Sequence, residues 1–441
     1  MSEVIDGTGQ REIASTRLTR MAALAGTGAK VGVNYLKYYG RRTLTGETDK
    51  ESLHAANAAQ VYKTFSQLKG GPLKIAQMLS IDQNLLPRAY VREFSQAQYS
   101  APPLSYPLVV RVFRREFGRD PLDVFDQFEP HAAHGASIGQ VHRAEKSGGR
   151  LAVKVQYPGV ADSLRSDLRA VKPLALQVLG VREADVGDYF REVEERLVEE
   201  TDYALELRRS VTLSAACAHL PNLRFPEYYP EWSSPRILTM SWLDGVPLDR
   251  FADSGASQDE RDTVGQALWD FYDFQVHQLH LFHADPHPGN FLVDGTTLCP
   301  LDFGCTKQLE PAFYRKQFRF LDPALLSDPQ LLETALADLE IVLAEDSCEA
   351  RQEIVTLCQS SLALVAEPFR HETFDFGAED FMRAVYEMGL ENGGNERLRA
   401  LRGRRGSPHS VYVNRVYFGL YTLLCRLRAR VRVQLPDWIG R

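Results

Sequence analysis

Three short stretches, in a fixed order, constrain this chain more than any other feature. They are LAVK, which ends at Lys154, then HADPHPGN at 283–290, and LDFG at 301–304. A lysine that ends a strand can hold nucleotide phosphates. An Asp-x-x-x-x-Asn turn can supply a base and a metal ligand, and an Asp before Phe-Gly can supply a second metal ligand. Each stretch is weak evidence alone, but the ordered set predicts a site for nucleotide phosphates and a metal ion.

The loop at 283–290 carries the predicted catalytic group. Its prolines and its glycine exclude a helix through it. The spacing predicts that Asp285 orients or deprotonates the nucleophile, and that Asn290 and Asp302 bind magnesium. The pattern NFLVDGTTLCPLDFG predicts a β-hairpin that returns Asp302 to the cleft of Asp285.

A zinc site built from His283, Asp285 and His287 is an alternative. Alternating residues of a loop can ligate zinc. However, Asp302 suits a cation that prefers oxygen ligands, and the six cysteines contain no Cys-x-x-Cys pair. We therefore prefer magnesium.

The bulk composition is that of an ordinary globular protein. The chain has 441 residues, of which 44% are hydrophobic and 25% are charged, so it can form two or three units. A net charge of -7 does not favour nucleic-acid binding by the chain as a whole. We find no signal-peptide layout and no run of about 18 apolar residues. We expect a cytoplasmic protein, either free or peripherally attached to a membrane.

The residue pattern changes along the chain and predicts four segments. Residues 1–50 are polar or amphipathic, and 51–124 form a helical extension. Residues 125–244 form a small lobe that binds nucleotide, and 245–441 form a helical lobe with the catalytic and metal loops.

Several elements within these segments can be predicted individually. A helix is expected at 107–117, helical structure over 161–218, and a strand within 236–245. Two further strands, IGQVHRAE and RLAVKVQYP, flank a turn at SGG. The fold class that follows is α+β: a protein-kinase-like two-lobed fold with an N-terminal helical extension.

Two basic segments each allow two interpretations. Residues 15–42 contain no acid and form either an interfacial amphipathic helix or a helix packed on the body of the protein. From Arg397 to Pro436 there are ten arginines and no acid. These arginines are either solvated or paired within the molecule, or they form a surface for anionic lipid or another anionic partner.

The stretch GASIGQV at 135–141 ends in Gly-x-Val, as a kinase phosphate loop does. Gly139 matches the third glycine of such a loop and Ala136 the second, where a methyl group restricts how closely the chain approaches a phosphate. Lys154 is either the phosphate ligand or a solvent-facing strand end. The predicted nucleotide-binding residues are Ala136, Ser137, Gly139, Val141, Lys154 and Met240.

On these motifs the chain resembles the UbiB family of atypical kinases, also called the AarF-domain family, over roughly residues 60–310. The specific stretches are LKIAQMLS at 73–80 and ASIGQVH at 136–142, which ordinary protein kinases lack. The family's Lys-x-Gly-Gln motif matches Lys74 and Gln77, with Ala76 in place of the glycine. Helical spacing puts Lys74 and Gln77 on one face.

The resemblance implies further residue roles. The family's Glu-x-Asp motif matches Glu200 and Asp202, and it implies that Glu200 pairs with Lys74. It also nominates Glu206 as the partner of Lys154, a choice that the residues alone leave open among several nearby glutamates. ATP and Mg²⁺ are the implied cofactors.

No Ala-Pro-Glu follows Asp302, and CTKQLEPAF leads almost directly into a helix. The chain therefore resembles an ATPase or a small-molecule kinase more than a protein kinase. The resemblance further implies a role in ubiquinone biosynthesis, with an anionic membrane surface or an isoprenoid lipid as partner and with no nucleic acid.

Two other functions stay open. A small-molecule phosphotransferase of the aminoglycoside- or choline-kinase type also uses a His-x-Asp-x-His-x-x-Asn loop. A pseudokinase would bind nucleotide as a switch and act by contacting partners. The stretches LKIAQMLS and ASIGQVH favour the UbiB-like enzyme over the first, and the intact catalytic positions favour it over the second.

Overall fold

The computed structural model divides the chain into two units. Unit 1 comprises Met1–Arg208 and Glu227–Trp242, and unit 2 comprises Arg209–Pro226 and Leu243–Arg441. The four segments predicted from the sequence stay a prediction. The structure describes residues 22–23, 26–35, 37–38, 50–68, 72, 75, 89–90, 93, 104–136, 138–179, 183–394 and 405–439.

One helix of unit 1 has clear sequence signals at both ends. Helix α2, predicted at 107–117, has a proline in its first turn. Its C-cap is Gly118, at φ 69°, whose backbone N–H donates to the Arg114 carbonyl. The helices are α1 (Lys50–Leu68), α2 (Tyr106–Phe117), α3 (Pro121–Val124), α4 (Val160–Leu179), α5 (Glu183–Glu200) and α6 (Tyr203–Cys217), and the last residues of α6 belong to unit 2.

A five-stranded antiparallel sheet lies in unit 1. The turn between its third and fourth strands has Ser147 at φ 51° and Gly148 at φ 79°, so the predicted SGG turn and its flanking strands are confirmed. The strands are β1 (Gln127–Phe128), β2 (His134–Gly135), β3 (Gly139–Lys146), β4 (Gly149–Gln156) and β5 (Ile237–Ser241). Their order is β1-β3-β4-β5, with β2 also paired to β3.

Alternation along β4 separates its side chains onto two faces. Leu151, Val153 and Val155 lie in a buried cluster with the apolar stripe of α2. Ala152 packs instead on a second cluster, which includes Tyr203 of α6. Lys154 shares the alternation of Ala152 and therefore points to this second face.

The N-terminal basic segment contributes to a third cluster in unit 1. Val31 and Tyr35 are buried with residues of α1, α4 and α5. The described part of 15–42 therefore packs on the protein, as the second of the two interpretations proposed.

Unit 2 is mostly helical and has one large core. Ser257 and Glu260 form a capping box that starts its long helix α8, which continues as a π-helical turn at Gln275–Leu279. The helices are α7 (Leu248–Ala252), α8 (Gln258–Phe274), α9 (Pro311–Phe318), α10 (Pro323–Ser327), α11 (Pro329–Asp338), α12 (Cys348–Ala366), α13 (Glu379–Gly394) and α14 (Pro408–Leu427).

Three small antiparallel sheets complete unit 2. They pair β6 with β8 and β8 with β9, β7 with β10, and β11 with β12. No helix among the described residues is long and apolar enough to span a bilayer. The strands are β6 (Val246–Pro247), β7 (Leu281–His283), β8 (Phe291–Asp294), β9 (Thr297–Pro300), β10 (Thr306–Gln308), β11 (Thr373–Asp375) and β12 (Arg430–Arg432).

Candidate active site

Lys154 forms a buried ion pair in unit 1. Its Nζ donates to Oε1 of Glu206 at 2.7 Å, and the two side chains are only 11% and 3% exposed. The Nζ also lies 4.9 Å from the centre of the Tyr203 ring. The pair that the resemblance implies is therefore present, and Lys154 is not a solvent-facing strand end. Its role toward phosphate stays a prediction.

Three of the predicted nucleotide-binding residues, Val141, Lys154 and Met240, lie on one face of the sheet. Val141, Lys154 and Leu238 stand opposite one another on β3, β4 and β5. In the next row of the same face, Ala152 stands opposite Met240. Cross-strand neighbours point to one side of a sheet. The tertiary structure thus brings Val141, Lys154 and Met240 together.

The first residue of β3, Gly139, is a position where packing leaves no room for a side chain. A Cβ at Gly139 would lie 2.6 Å from the Val155 carbonyl oxygen and 2.7 Å from the Tyr203 hydroxyl. Ala136 closes the loop, because its N–H donates to the Gly139 carbonyl at 2.9 Å. Ser137 lies outside the described residues.

Two residues of the ASIGQVH stretch, Gln140 and His142, form a buried hydrogen-bond network that was not predicted from the sequence. Oε1 of Gln140 accepts from the Leu104 N–H at 2.6 Å, and Nε2 of Gln140 lies 2.8 Å from Nε2 of His142. Nδ1 of His142 lies 2.8 Å from the Glu129 carbonyl. Both side chains are fully buried, so this part of the motif joins two loops to β3. The available signal was two polar residues at alternate positions of one strand, 140 and 142.

The loop at 283–290 is held from both sides in unit 2. On one side, β7 pairs with β10, and the Ala284 N–H donates to the Cys305 carbonyl at 2.9 Å. On the other, the side chain of Gln275, in the π-helical turn, accepts from the His283 N–H at 2.9 Å. The loop closes internally, because the Asn290 N–H donates to the His287 carbonyl.

Asp285 is contacted by an amide and a guanidinium group. Nδ2 of Asn290 lies 3.0 Å from the Asp285 carbonyl oxygen and 3.3 Å from its Oδ2. On the other carboxylate oxygen, the Arg415 guanidinium donates at 2.5 Å. Arg415 belongs to α14, 130 residues away along the chain, and it is part of none of the predicted motifs.

Asp302 follows the predicted hairpin, which is formed by β8 and β9. The Leu301 N–H donates to the Asn290 carbonyl at 2.9 Å, so the end of the hairpin lies beside the loop. Oδ1 of Asp302 accepts from the Gly304 N–H at 2.8 Å, and the Gly304 carbonyl accepts from the Arg209 guanidinium at 3.1 Å.

His283, the first residue of this loop, is buried in the core. Its Nδ1 lies 2.9 Å from the Tyr272 hydroxyl, and its buried Nε2 has no hydrogen-bond partner among the residues that the structure describes. Burial lowers the pKa of His283, although the negative charges of Asp285 and Asp302 act in the opposite direction. The ring is therefore neutral at pH 7.

The donor set around the loop fits magnesium better than zinc. Asn290 is oriented by its amide nitrogen, which donates to Asp285, and this leaves its amide oxygen as the side that can ligate a cation. An amide oxygen and the Asp302 carboxylate suit a hard cation that keeps several waters. Among the described residues, no group of three or more His, Cys, Asp or Glu side chains is placed to hold a metal. A zinc cluster of His283, Asp285 and His287 is therefore not formed.

The residues of the predicted regulatory motif are only partly described. Lys74 and Gln77 lie outside the described residues, and so does the predicted pairing of Lys74 with Glu200 at the end of α5. Asp202 has a visible role: its Oδ1 accepts from the N–H groups of Ala204 and Leu205 at 3.0 and 3.1 Å. It thereby caps α6, the helix that carries Glu206.

Several arginines of the basic C-terminal segment pair with acids of unit 2. The pairs are Arg405 with Asp346, Arg415 with Asp285, Arg426 with Asp253, and Arg430 with Asp375. This favours intramolecular pairing, the first of the two interpretations of the segment.

Comparisons with known proteins agree with these motifs. Residues 96–335 match the family model of the ABC1 atypical kinase-like domain. The chain is 28% identical to the mitochondrial atypical kinase COQ8B of Rattus norvegicus, and the match covers 87% of this chain and 74% of that protein. It is 27% identical to the mitochondrial atypical kinase COQ8 of Saccharomyces cerevisiae, with 95% and 83% covered. Identity to AarF domain-containing protein kinase 1 of Xenopus tropicalis is 29%, with 70% and 61% covered.

The fold is similar to that of a solved structure. The Rv3197–erythromycin complex from Mycobacterium tuberculosis superposes with a TM-score of 0.59 at 24% sequence identity, and the match covers 88% of this chain and 97% of that one. At this identity the likeness concerns the fold alone. The predicted α+β, kinase-like fold is confirmed.

Proposed function

This chain belongs to the ABC1 atypical kinase-like family, and from that premise we propose that it binds ATP with magnesium and transfers the terminal phosphoryl group to water or to a small acceptor. The observation that carries the proposal is the buried Lys154–Glu206 ion pair at 2.7 Å, on the sheet face that also bears Val141 and Met240.

A buried lysine is costly unless its charge is used. Glu206 holds the Lys154 ammonium in one position at 2.7 Å, and the fixed charge can then bind nucleotide phosphates without reorganising. Val141, Ala152 and Met240 supply an apolar surface beside it, which suits the flat face of a nucleobase. We therefore assign nucleotide binding to this face of unit 1.

Asp285 is the group proposed to orient the attacking hydroxyl or water. Its carboxylate is fixed by Asn290 and Arg415, and phosphoryl transfer depends mainly on positioning and on charge stabilisation. Asn290 and Asp302 would hold magnesium, which when bound neutralises charge on the phosphates.

The choice of acceptor rests on the segment after Asp302. Helix α9 begins at Pro311, so little chain is available for a platform that binds peptide substrates. This supports hydrolysis of ATP or transfer to a small molecule. The UbiB resemblance extends the proposal to isoprenoid-quinone synthesis, by a cytoplasmic protein that responds to anionic membrane surfaces and lipid intermediates.

ATP hydrolysis with magnesium tests the proposal, with and without anionic liposomes. We compare the wild type with Asp302→Asn and with a matched control, Asp294→Asn. Asp294 belongs to the same hairpin and makes an exposed ion pair with Arg224. We expect turnover that liposomes stimulate, a loss of about a hundredfold or more in Asp302→Asn, and little change in the control.

Equal and negligible turnover in all three proteins would remove the ATPase function. Turnover that survives Asp302→Asn would show that this carboxylate does not serve the reaction.

A further inference from the structure

We infer that Arg415, on the C-terminal helix α14, is a positioning residue for Asp285, and that α14 fixes the loop at 283–290 in its working conformation. The inference deepens the proposed function and rests on it for its kinetic readout. It concerns a part of the chain that the family resemblance over residues 60–310 does not reach.

The first observation is the contact between the two charged groups. The Arg415 guanidinium donates to Oδ1 of Asp285 at 2.5 Å, and the side chains are 17% and 26% exposed. A charge-assisted hydrogen bond that is partly shielded from water is about twice as strong as a neutral one. Asn290 contacts the other oxygen at 3.3 Å, so the rotation of the carboxylate is fixed from both sides.

The second observation is a backbone contact one turn further along the helix. A Cβ at Gly419 would overlap Cγ of Pro286, and it would lie 2.9 Å from Cβ and 3.2 Å from the carbonyl oxygen of that proline. Gly419 and Arg415 are four residues apart and therefore lie on one face of α14. The helix thus approaches the loop so closely at Pro286 that only a glycine fits.

The third observation places α14 on neighbouring segments as well. Nζ of Lys307, on β10, lies 4.7 Å from the centre of the Tyr412 ring. Two residues beyond Arg415 toward the C-terminus, the Tyr417 hydroxyl lies 2.8 Å from Nε2 of His277 in the π-helical turn. Helix α14 therefore contacts the loop itself and elements on both sides of it.

These contacts explain why an arginine of the basic C-terminal segment lies half-buried against the loop. Without the guanidinium group, the Asp285 side chain can rotate away from the direction needed by the nucleophile. A misplacement of about 1 Å costs about a hundredfold in rate. The contacts to ATP that we assign to unit 1 do not involve Arg415, so the loss is expected mainly in kcat.

The kinetic test compares Arg415→Gln with Arg426→Gln in the full chain. Arg426 lies on the same helix and makes a more exposed ion pair, with Asp253. We expect kcat to fall about ten- to a hundredfold in Arg415→Gln, with KM for ATP within about twofold, and no change in Arg426→Gln. Arg415→Lys should recover part of kcat, because lysine keeps the positive charge but lacks the planar guanidinium group with its several N–H donors.

A parallel change of kcat in both glutamine variants, or a loss in Arg415→Gln that appears only in KM, would overturn the inference. No recovery by Arg415→Lys would also count against it.

Hydrogen–deuterium exchange gives a readout that needs no turnover. Arg415→Gln and Gly419→Ala should both speed amide exchange in peptides covering 285–291, by about tenfold. Arg426→Gln and the control Gly187→Ala, whose added Cβ meets nothing within 4 Å, should not. Unchanged exchange in the loop of Arg415→Gln would overturn the positioning role, even if ATP is hydrolysed. If the wild type proves inactive, the proposed function fails, and the exchange data still decide whether α14 fixes the loop.

Discussion

The buried pair of Lys154 and Glu206 allows the sharpest test of how unit 1 is built. We consider three variants: Lys154→Met, Glu206→Leu, and the double substitution. Each single change removes the partner of a charge whose own side chain is almost inaccessible to water, at 11% exposure for Lys154 and 3% for Glu206. The double change replaces both charges with apolar groups of similar size.

The expected magnitudes follow from this burial. Breaking a buried ion pair by removing one partner costs about 3–5 kcal/mol, whereas replacing both partners with apolar side chains is often nearly neutral. The Lys154 contact with the Tyr203 ring adds about 0.5–2 kcal/mol, and this is lost in both variants that lack the lysine. We therefore expect a coupling energy of about 3 kcal/mol or more between the two positions.

Urea unfolding measures the free energy of unfolding of each variant, and ATP binding is measured on the same samples. All three variants should lose ATP binding, but the double variant should be clearly more stable than either single one. The control is the pair Lys172 and Glu183, which has the same 2.7 Å separation but is exposed at 25% and 68%. Its coupling should stay below about 1 kcal/mol. Additive costs at Lys154 and Glu206 would refute the reasoning, because they would show that the charges are not coupled.

Three further predictions concern stability. Gly139→Ala should lower the free energy of unfolding by about 1–3 kcal/mol because its Cβ would meet a backbone oxygen, whereas Gly187→Ala should raise it by up to about 1 kcal/mol; equal effects in urea unfolding would contradict this. Gln140→Leu should cost about 1–3 kcal/mol, because the buried Leu104 N–H loses its acceptor, and an unchanged thermal midpoint would refute it. Burial raises the pKa of Asp273 from 3.8 to about 7, so its contribution to stability is present below pH 3.8 and is lost as the pH rises to 7. The free energy of unfolding of Asp273→Asn should therefore rise relative to that of the wild type by up to about 3 kcal/mol between pH 4 and 8. A difference between the two proteins that does not change with pH would contradict the prediction.

The local order of the chain could be predicted from the sequence because it is encoded in neighbouring residues. Alternation and the SGG turn predicted β3 and β4, and the turn residues take positive φ at Ser147 and Gly148. The helix predicted at 107–117 is α2, which spans Tyr106–Phe117. The three motifs nominate the residues that we propose to carry the chemistry, because each motif is short and its spacing constrains the geometry locally.

Contacts between distant parts of the chain were decided by the tertiary structure. Among the glutamates of α5 and α6, the residues alone could not select Glu206 as the partner of Lys154; the choice came from the resemblance, and the packing of α6 beside β4 makes the contact. Nothing in the motifs pointed to Arg415, which reaches Asp285 across 130 residues. The sequence likewise identified Gln140 only as part of a motif, and the structure shows that its side chain accepts a hydrogen bond from the Leu104 N–H. The physical reason is the same in each case: a charged or polar side chain needs a partner once it is buried, and only the packing of the chain determines which partner is within reach.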